Sequence, residues 1–255
     1  MIALVRRVCL IACFAWPGVS SAHEKLSFAF AENAPPYSFE QDGRVAGVLP
    51  DLLQLVFQSL PGYAAELSVM PWSRAQYNVR QGLADGFLTY PSDERKEYAL
   101  FAEQPLFVQD FGHLVYSANN PNVDQIESAE SFADLAGLKV IVEMGSTWEE
   151  ENIPGDLERV PGRDPSTMMH LLMLREAGDF MVQPAEDARF IAQTLGYSER
   201  LNVRKVQFIP NARIPFHIGI SRKLAAAADV IDLVNDAMER SEILLERDRL
   251  INRYQ

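Results

Sequence analysis

Short apolar segments alternate with amphipathic segments along most of this chain, and that alternation limits the fold more than any other feature. Leu26, Phe28 and Phe30 alternate with other residues in "KLSFAFAE", which predicts a strand. "PDLLQLVFQSL" follows, with its leucines on one face, and predicts a helix. "ELSVM" and "DGFLTY" are predicted strands on either side of a helix that Ser73 can cap and that runs to Gly82. Such a rhythm is typical of an α/β fold with largely parallel strands.

The same rhythm returns in the second half of the chain. "GLKVIVEM", "DFMVQP" and "FHIGIS" are predicted strands. A helix is expected to begin at Asp164-Pro165 and to run through Ala177-Gly178, and "PAEDARFIAQTLG" predicts another. The chain is expected to be helical from Leu224 to about Arg253, with a separate last helix. Two α/β blocks are therefore predicted, joined around "FGHLVYSANNP".

The N-terminus indicates export. Arg6 and Arg7 precede the apolar run "VCLIACFAWPGVS", and Ser20-Ser21-Ala22 offers the small residues after which a signal peptidase cuts. We therefore expect residues 1–22 to be a cleavable signal peptide and the mature protein to be periplasmic. A lipoprotein signal ending at Cys13 is the alternative. Both cysteines of the chain lie in this segment, so the mature chain should carry no disulfide and no cysteine chemistry.

The charge balance limits the possible partners. After removal of the signal, 21 basic and 35 acidic residues remain, a net charge of −14. Such an acidic surface argues against nucleic acids and anionic membranes as partners. No second apolar run reaches spanning length, so no membrane insertion is expected. The histidines are too scattered for a zinc site, and the methionines of "STMMHLLML" have core spacing, so we predict no metal or cofactor.

Five segments in this order resemble the family 3 extracellular solute-binding proteins, which include polar amino-acid receptors of ABC transporters. They are "APPYSFEQDGRVAGVLPDLLQLV", "PWSRAQYNVRQGLADGFL", "PSDERKEYALFAEQPLF", "DLAGLKVIVEMGST" and "LREAGDFMVQP". The resemblance implies the two-lobed type II periplasmic-binding-protein fold, an α/β fold in which each lobe has a central β-sheet flanked by helices. Two hinge strands would join the lobes. Residues 23–112 and 213–255 would form lobe 1, and residues 113–212 would form lobe 2.

The resemblance also implies a binding site between the lobes. In the family's amino-acid receptors, the arginine that matches Arg95 holds the carboxylate of the ligand, which suits the bidentate fork of a guanidinium. Ser92 matches a nearby hydroxyl position of the family. Thr89 and Tyr90, at the end of a predicted strand, are expected to line the wall. Without the resemblance, Arg95 would be interpreted as a surface residue paired with Asp93 or Glu94.

The other predicted ligand contacts are aromatic rings and groups from lobe 2. Tyr37 and Trp72 could form aromatic walls, although core or rim packing is the alternative for both. Ser146 and Thr147 lie where a glycine turn enters a helix, so they could bind an anion or simply cap that helix. Trp148 is a third possible aromatic wall.

The sequence departs from the amino-acid receptors at one position. Those receptors place an aspartate for the ligand's ammonium at the end of the strand that here reads "DFMVQP". Gln183 or Pro184 stands there, so Gln183 would offer a neutral amide. An α-amino acid is therefore expected to bind only if Glu186 reaches the cleft. Without it, Arg95 indicates an anion that lacks a nearby ammonium.

The sequence predicts a non-catalytic, monomeric protein that captures a small polar or carboxylated ligand, an amino acid or a related organic acid, for an ABC transporter permease. A sensory protein that docks on a membrane kinase or cyclase is one alternative. A periplasmic enzyme similar to cyclohexadienyl dehydratase is another. Such an enzyme needs a general acid beside the carboxylate site, for which Glu143, Glu149 and Glu186 are candidates.

Overall fold

The computed structural model describes residues 23–32 and 34–254, and it forms two β-sheets with helices packed on them. The predicted signal peptide, residues 1–22, and its lipoprotein alternative lie outside the described residues. The strands are β1 (Glu24–Ala31), β2 (Phe39–Gln41), β3 (Arg44–Ala46), β4 (Tyr63–Met70), β5 (Gly86–Thr89), β6 (Ala99–Phe101), β7 (Phe107–Asp110), β8 (His113–Ser117), β9 (Lys139–Glu143), β10 (Glu158–Gly162), β11 (Phe180–Val182), β12 (Leu201–Lys205) and β13 (Arg213–Ser221). The helices are α1 (Val48–Gln58), α2 (Trp72–Gln81), α3 (Asp93–Tyr98), α4 (Val123–Ser128), α5 (Thr147–Asn152), α6 (Pro165–Met173), α7 (Ala185–Leu195), α8 (Ala227–Met238) and α9 (Ser241–Tyr254).

The first sheet has the strand order β4-β1-β5-β13-β6, with β7 also paired to β13. Strands β1, β4 and β5 are parallel, and β13 runs antiparallel to its neighbours. Both faces are covered, as expected for a parallel sheet. Leu26, Phe28 and Phe30 pack with α1, whereas Ala29 on the opposite face packs with α2. This sheet and its helices are called the first lobe below.

The second sheet has the order β10-β9-β11-β8-β12, in which β9, β10 and β11 are parallel. Strand β8 is antiparallel to both of its neighbours. One apolar cluster lies on each face, and one of them contains Met168, Met169 and Met173 of α6. These methionines are fully enclosed, so the prediction that they belong to the core is confirmed. This sheet and its helices are called the second lobe.

Two chain segments connect the lobes and run side by side. One segment joins β7 to β8, and the other joins β12 to β13. The backbone N–H of Phe111 donates to the oxygen of Ala212 at 2.7 Å, and the N–H of Val206 donates to the oxygen of Gly112 at 2.8 Å. After the second crossing the chain remains in the first lobe, where Tyr254 near the end of α9 donates to Asp51 at 2.8 Å. None of the described helices is long and apolar enough to cross a bilayer.

Two predicted helix limits were wrong. Helix α6 ends at Met173 rather than at Gly178, because the N–H groups of Leu174 and Arg175 both turn back to the oxygen of His170. Gly178 has a different role, since a Cβ there would lie 2.5 Å from the side chain of Ile141. The helix that Ser73 was expected to cap begins at Trp72, so Ser73 lies inside it, and it has no side-chain cap.

Candidate ligand-binding cleft

The carboxyl ends of three parallel strands place predicted residues along one edge of the first lobe. Tyr37 follows β1, Trp72 follows β4, and Thr89 ends β5. Ligands of open α/β sheets bind at this edge. Thr89 is only 4% exposed and pairs with His217 in the sheet, whereas the next residue, Tyr90, is 45% exposed. Tyr90 is therefore the more accessible of the two.

Arg95 lies at the same edge, and the groups that hold its side chain are uncharged. Its Nε donates to Oε1 of Gln76 at 3.1 Å, and its Nη1 donates to the backbone oxygen of Tyr90 at 2.9 Å. The guanidinium carbon lies 5.3 Å from the ring centroid of Trp72, within range of a cation–π contact. Ser92 caps α3, and its Oγ accepts from the backbone N–H of Arg95 at 3.4 Å. The side chain is thus held in place by uncharged groups, and none of them neutralises its positive charge.

The acidic residues beside Arg95 are engaged elsewhere. Glu94 pairs with Arg80, and Asp93 pairs with Lys96 at 3.2 Å. Among the described residues, none forms an ion pair with Arg95. The alternative of a surface pair with Asp93 or Glu94 is therefore wrong for this structure. A half-buried guanidinium held by neutral partners can accept an anion.

In the second lobe, the carboxyl ends of β9 and β11 bring a second group of predicted residues together. Ser146 caps α5, and its Oγ accepts from the backbone N–H of Glu149 at 3.3 Å. Thr147 is the first residue of that helix, and its side chain lies outside the described part of the structure. The amide of Gln183, just after β11, donates to Oε1 of Glu149 at 3.3 Å.

Glu149 connects these two strand ends. Its Oε2 accepts from the backbone N–H of Glu143 at 2.6 Å, and only 2% of the residue is exposed. The pKa of the Glu149 carboxyl is raised from 4.5 to about 7, chiefly by burial and also by the charge of Glu143, although the hydrogen bonds to the carboxylate oppose the rise. Glu149 is thus a buried carboxyl group that titrates near neutral pH.

The lobes meet where Tyr37 contacts helix α7. The hydroxyl of Tyr37 donates to Oε1 of Glu186 at 3.3 Å, and the rings of Phe39 and Phe190 lie 6.3 Å apart nearby. Glu186 is 3% exposed. Glu186 thus contacts the first lobe from a position just after that of the expected aspartate.

Trp148 lies away from the other aromatic candidates. Its ring stacks on Phe111 with centroids 4.2 Å apart, and its Nε1 donates to the backbone oxygen of Asn211 at 3.1 Å. It thus contacts both segments that connect the lobes. Trp72 is stacked on Phe87 as well as on Arg95, so one face of its ring serves the core.

The predicted residues therefore form two groups with one bridge. Tyr90, Ser92, Trp72 and Arg95 lie together in the first lobe, and Ser146, Glu149 and Gln183 lie together in the second. Tyr37 of the first lobe contacts Glu186 of the second. Asp187 was not among the predicted contacts, yet burial and the charge of Glu186 raise the pKa of its carboxyl group. The signal for it was an acidic pair directly after a buried strand. Within the described ranges, no group of three or more side chains is arranged to hold a metal ion.

Two lobes connected by paired crossings are the architecture of proteins that bind a small ligand between their lobes. The chain belongs to the bacterial extracellular solute-binding proteins, family 3, whose sequence profile matches residues 26–254. No curated protein sequence matches it significantly.

Solved structures similar to this one share the type II periplasmic-binding-protein fold. One is the probable amino-acid ABC transporter extracellular-binding protein ytmK from Bacillus subtilis, with 16% identity, a TM-score of 0.68, and coverage of 91% of this chain and 97% of that one. Another is the ancestral amino acid-binding protein AncCDT-1, described as a precursor of cyclohexadienyl dehydratase (19%, 0.62, 90% and 94%). A third is a histidine kinase sensor domain with similarity to periplasmic binding proteins (18%, 0.62, 92% and 97%). The predicted family and fold are confirmed.

Proposed function

We propose that this protein captures a small carboxylated ligand, an amino acid or a related organic acid, in the cleft and does no chemistry on it. The observation that carries the proposal is Arg95. Its guanidinium is oriented by Gln76, Tyr90 and Trp72, and none of these neutralises its charge. A carboxylate of the ligand would complete the site with charge-assisted hydrogen bonds.

The ligand would be enclosed by movement of the lobes. We place lobe 1 at residues 23–112 and 213–255 and lobe 2 at residues 113–212, with the two connecting segments as the hinge. A ligand that contacts both lobes binds the closed state better and shifts the population towards it. Tyr37 and Glu186 would meet only in that closed state.

An α-amino acid is compatible with this cleft. Glu186 and Asp187 of α7 bring carboxyl groups to the wall opposite Arg95, where an ammonium group needs them. The neutral Gln183 leaves that task to α7. The amino acid would therefore bind with its carboxylate towards the first lobe and its ammonium towards the second.

Delivery to an ABC transporter permease is the role that the family and similar structures support, with the protein acting as a periplasmic monomer after removal of residues 1–22. A similar histidine kinase sensor domain keeps a sensory role as the alternative. The two roles differ in the membrane partner, so co-purification with a permease rather than with a kinase separates them.

One observation supports the alternative of an enzyme. Glu149 is buried and has a pKa of about 7, and a general acid works best when its pKa lies near the operating pH. Its hydrogen bonds to the backbone of Glu143 and to Gln183 give it a structural task instead. Turnover of prephenate or arogenate by the purified protein would establish the enzyme and refute our proposal of a pure binding protein.

A thermal-shift screen of the mature protein against amino acids, organic acids and sugars tests the proposal. A ligand present at roughly 100 times its dissociation constant adds about 2.7 kcal/mol to the free energy of unfolding. The shift should disappear in Arg95→Ala and persist in Lys96→Ala, which removes an exposed cation one position away. If only uncharged sugars stabilise the protein, or if Arg95→Ala responds like the wild type, the proposal fails.

A further inference from the structure

The contact between the lobes includes an acidic residue that is almost fully shielded from water. Tyr37 belongs to the first lobe, and its hydroxyl donates to Glu186 of the second lobe at 3.3 Å. Glu186 is almost fully buried in this arrangement. Opening of the cleft would withdraw the ring of Tyr37 and return water to the carboxyl group.

The neighbouring carboxyl group of Asp187 is left without a partner on one side. Asp187 is partly buried as a residue, but its Oδ1 is buried and accepts no hydrogen bond from the described residues. Met168, Met169 and Met181 line the same small pocket as this side chain. An ionised carboxylate oxygen in such apolar surroundings is costly, whereas the protonated acid is tolerated.

The charges around this pair favour protonation further. The negative charge of Asp110, at the end of β7, raises the pKa of Glu186. The negative charge of Glu143, at the end of β9, raises the pKa of Asp187. Lys205 of β12 is bonded to Asp110 at 3.1 Å and offsets part of the charge of Asp110. The positive charge of Arg189, on the same helix as the pair, lowers the pKa of Glu186.

We infer that Glu186 and Asp187 form a proton-binding pair at the lobe interface, so that closure of the ligand-free protein takes up protons and is favoured in acid. The closed state buries Glu186 and Oδ1 of Asp187, and opening would return water to the side of the pair that Tyr37 covers. An ammonium group of a ligand would supply the same positive charge. Closure without ligand relies on the proton.

The sign of the pH dependence follows from burial. Burial raises the pKa of both carboxyl groups in the closed state, while the hydroxyl of Tyr37 opposes the rise at Glu186 because it donates to the ionised form. A group with a raised pKa in the closed state favours closure below its open-state value, about 4. That contribution is lost as pH rises from there through the closed-state pKa.

Single-molecule FRET on the ligand-free mature protein tests this inference independently of any ligand. Both cysteines, at positions 9 and 13, lie in the predicted signal peptide, so the mature protein would carry no other thiol. Tyr77→Cys in α2 and Leu174→Cys after α6 then provide one exposed dye site in each lobe. The ratio of closed to open molecules should fall between pH 5 and pH 8, by up to about tenfold for each pH unit and each proton taken up. A ratio that does not change with pH overturns the inference.

Variants identify the groups that titrate. The pH dependence should vanish in the Glu186→Gln/Asp187→Asn double variant and weaken in the nearly isosteric Asp187→Asn alone. It should persist in Glu150→Gln, which removes an exposed carboxylate from the same lobe. Tyr37→Phe removes only the donor, so the midpoint should move to higher pH. Retention of the full pH dependence in the double variant would overturn the inference.

Discussion

Replacement of Glu149 by glutamine should stabilise the protein at alkaline pH and leave it nearly unchanged in acid. Glu149 is 2% exposed as a residue, and the pKa of its carboxyl group rises from 4.5 to about 7 in the folded protein. At 1.36 kcal/mol for each pH unit, that rise corresponds to about 3 kcal/mol of unfolding free energy. The folded protein keeps its proton where the unfolded chain has lost it, so stability falls between about pH 4.5 and 7 and stays low above.

Glutamine can preserve both contacts of Glu149. Its amide oxygen can accept from the backbone N–H of Glu143, and its NH₂ can donate to Gln183 once that amide has rotated. Urea unfolding of Glu149→Gln and wild type at pH 5 and pH 8 measures the difference, with the exposed Glu150→Gln as control. A difference between Glu149→Gln and wild type that is the same at both pH values would refute the reasoning.

Two further predictions concern the first lobe. Gly86→Ala should lower the unfolding free energy by about 1–3 kcal/mol in a thermal melt, because the new Cβ would lie 2.5 Å from the ring of Phe28. The control Gly155→Ala adds its Cβ to open space and should leave the stability nearly unchanged. Asp85→Ala should cost about 1–3 kcal/mol, because Asp85 accepts from both the N–H and the hydroxyl of Ser27 at 2.7 Å; an unchanged urea midpoint would contradict this.

Local patterns were sufficient for the fold where one periodicity dominated. The alternation of Leu26, Phe28 and Phe30 predicted β1, and the leucines of "PDLLQLVFQSL" predicted α1. The end of α6 could not be predicted in this way, because a glycine that looks like a helix stop was needed for packing against Ile141. Strands β6 and β7 are short, and their pairing with β13 comes from distant sequence.

The site was accessible from the sequence only in part. Arg95 stood out through the family resemblance, since its charge run looks like solvated surface by itself. One of the uncharged partners of Arg95 is Gln76, which comes from another helix, and the burial of Glu149 depends on strand ends that are remote in sequence. Burial and partner choice arise from tertiary contacts, so neither the pKa of Glu149 nor the buried oxygen of Asp187 could be predicted.

The most direct test of the account is a binding cycle between Arg95 and the ligand's carboxylate. Isothermal titration should compare the tightest carboxylate from the screen with its carboxamide, on wild type and on Arg95→Gln. Loss of either charge should weaken binding by about 30-fold or more, because truncating one partner of a buried charge pair costs about 2–5 kcal/mol, and loss of both should add little further. Equal affinity of the wild type for the carboxylate and its carboxamide would contradict the central claim.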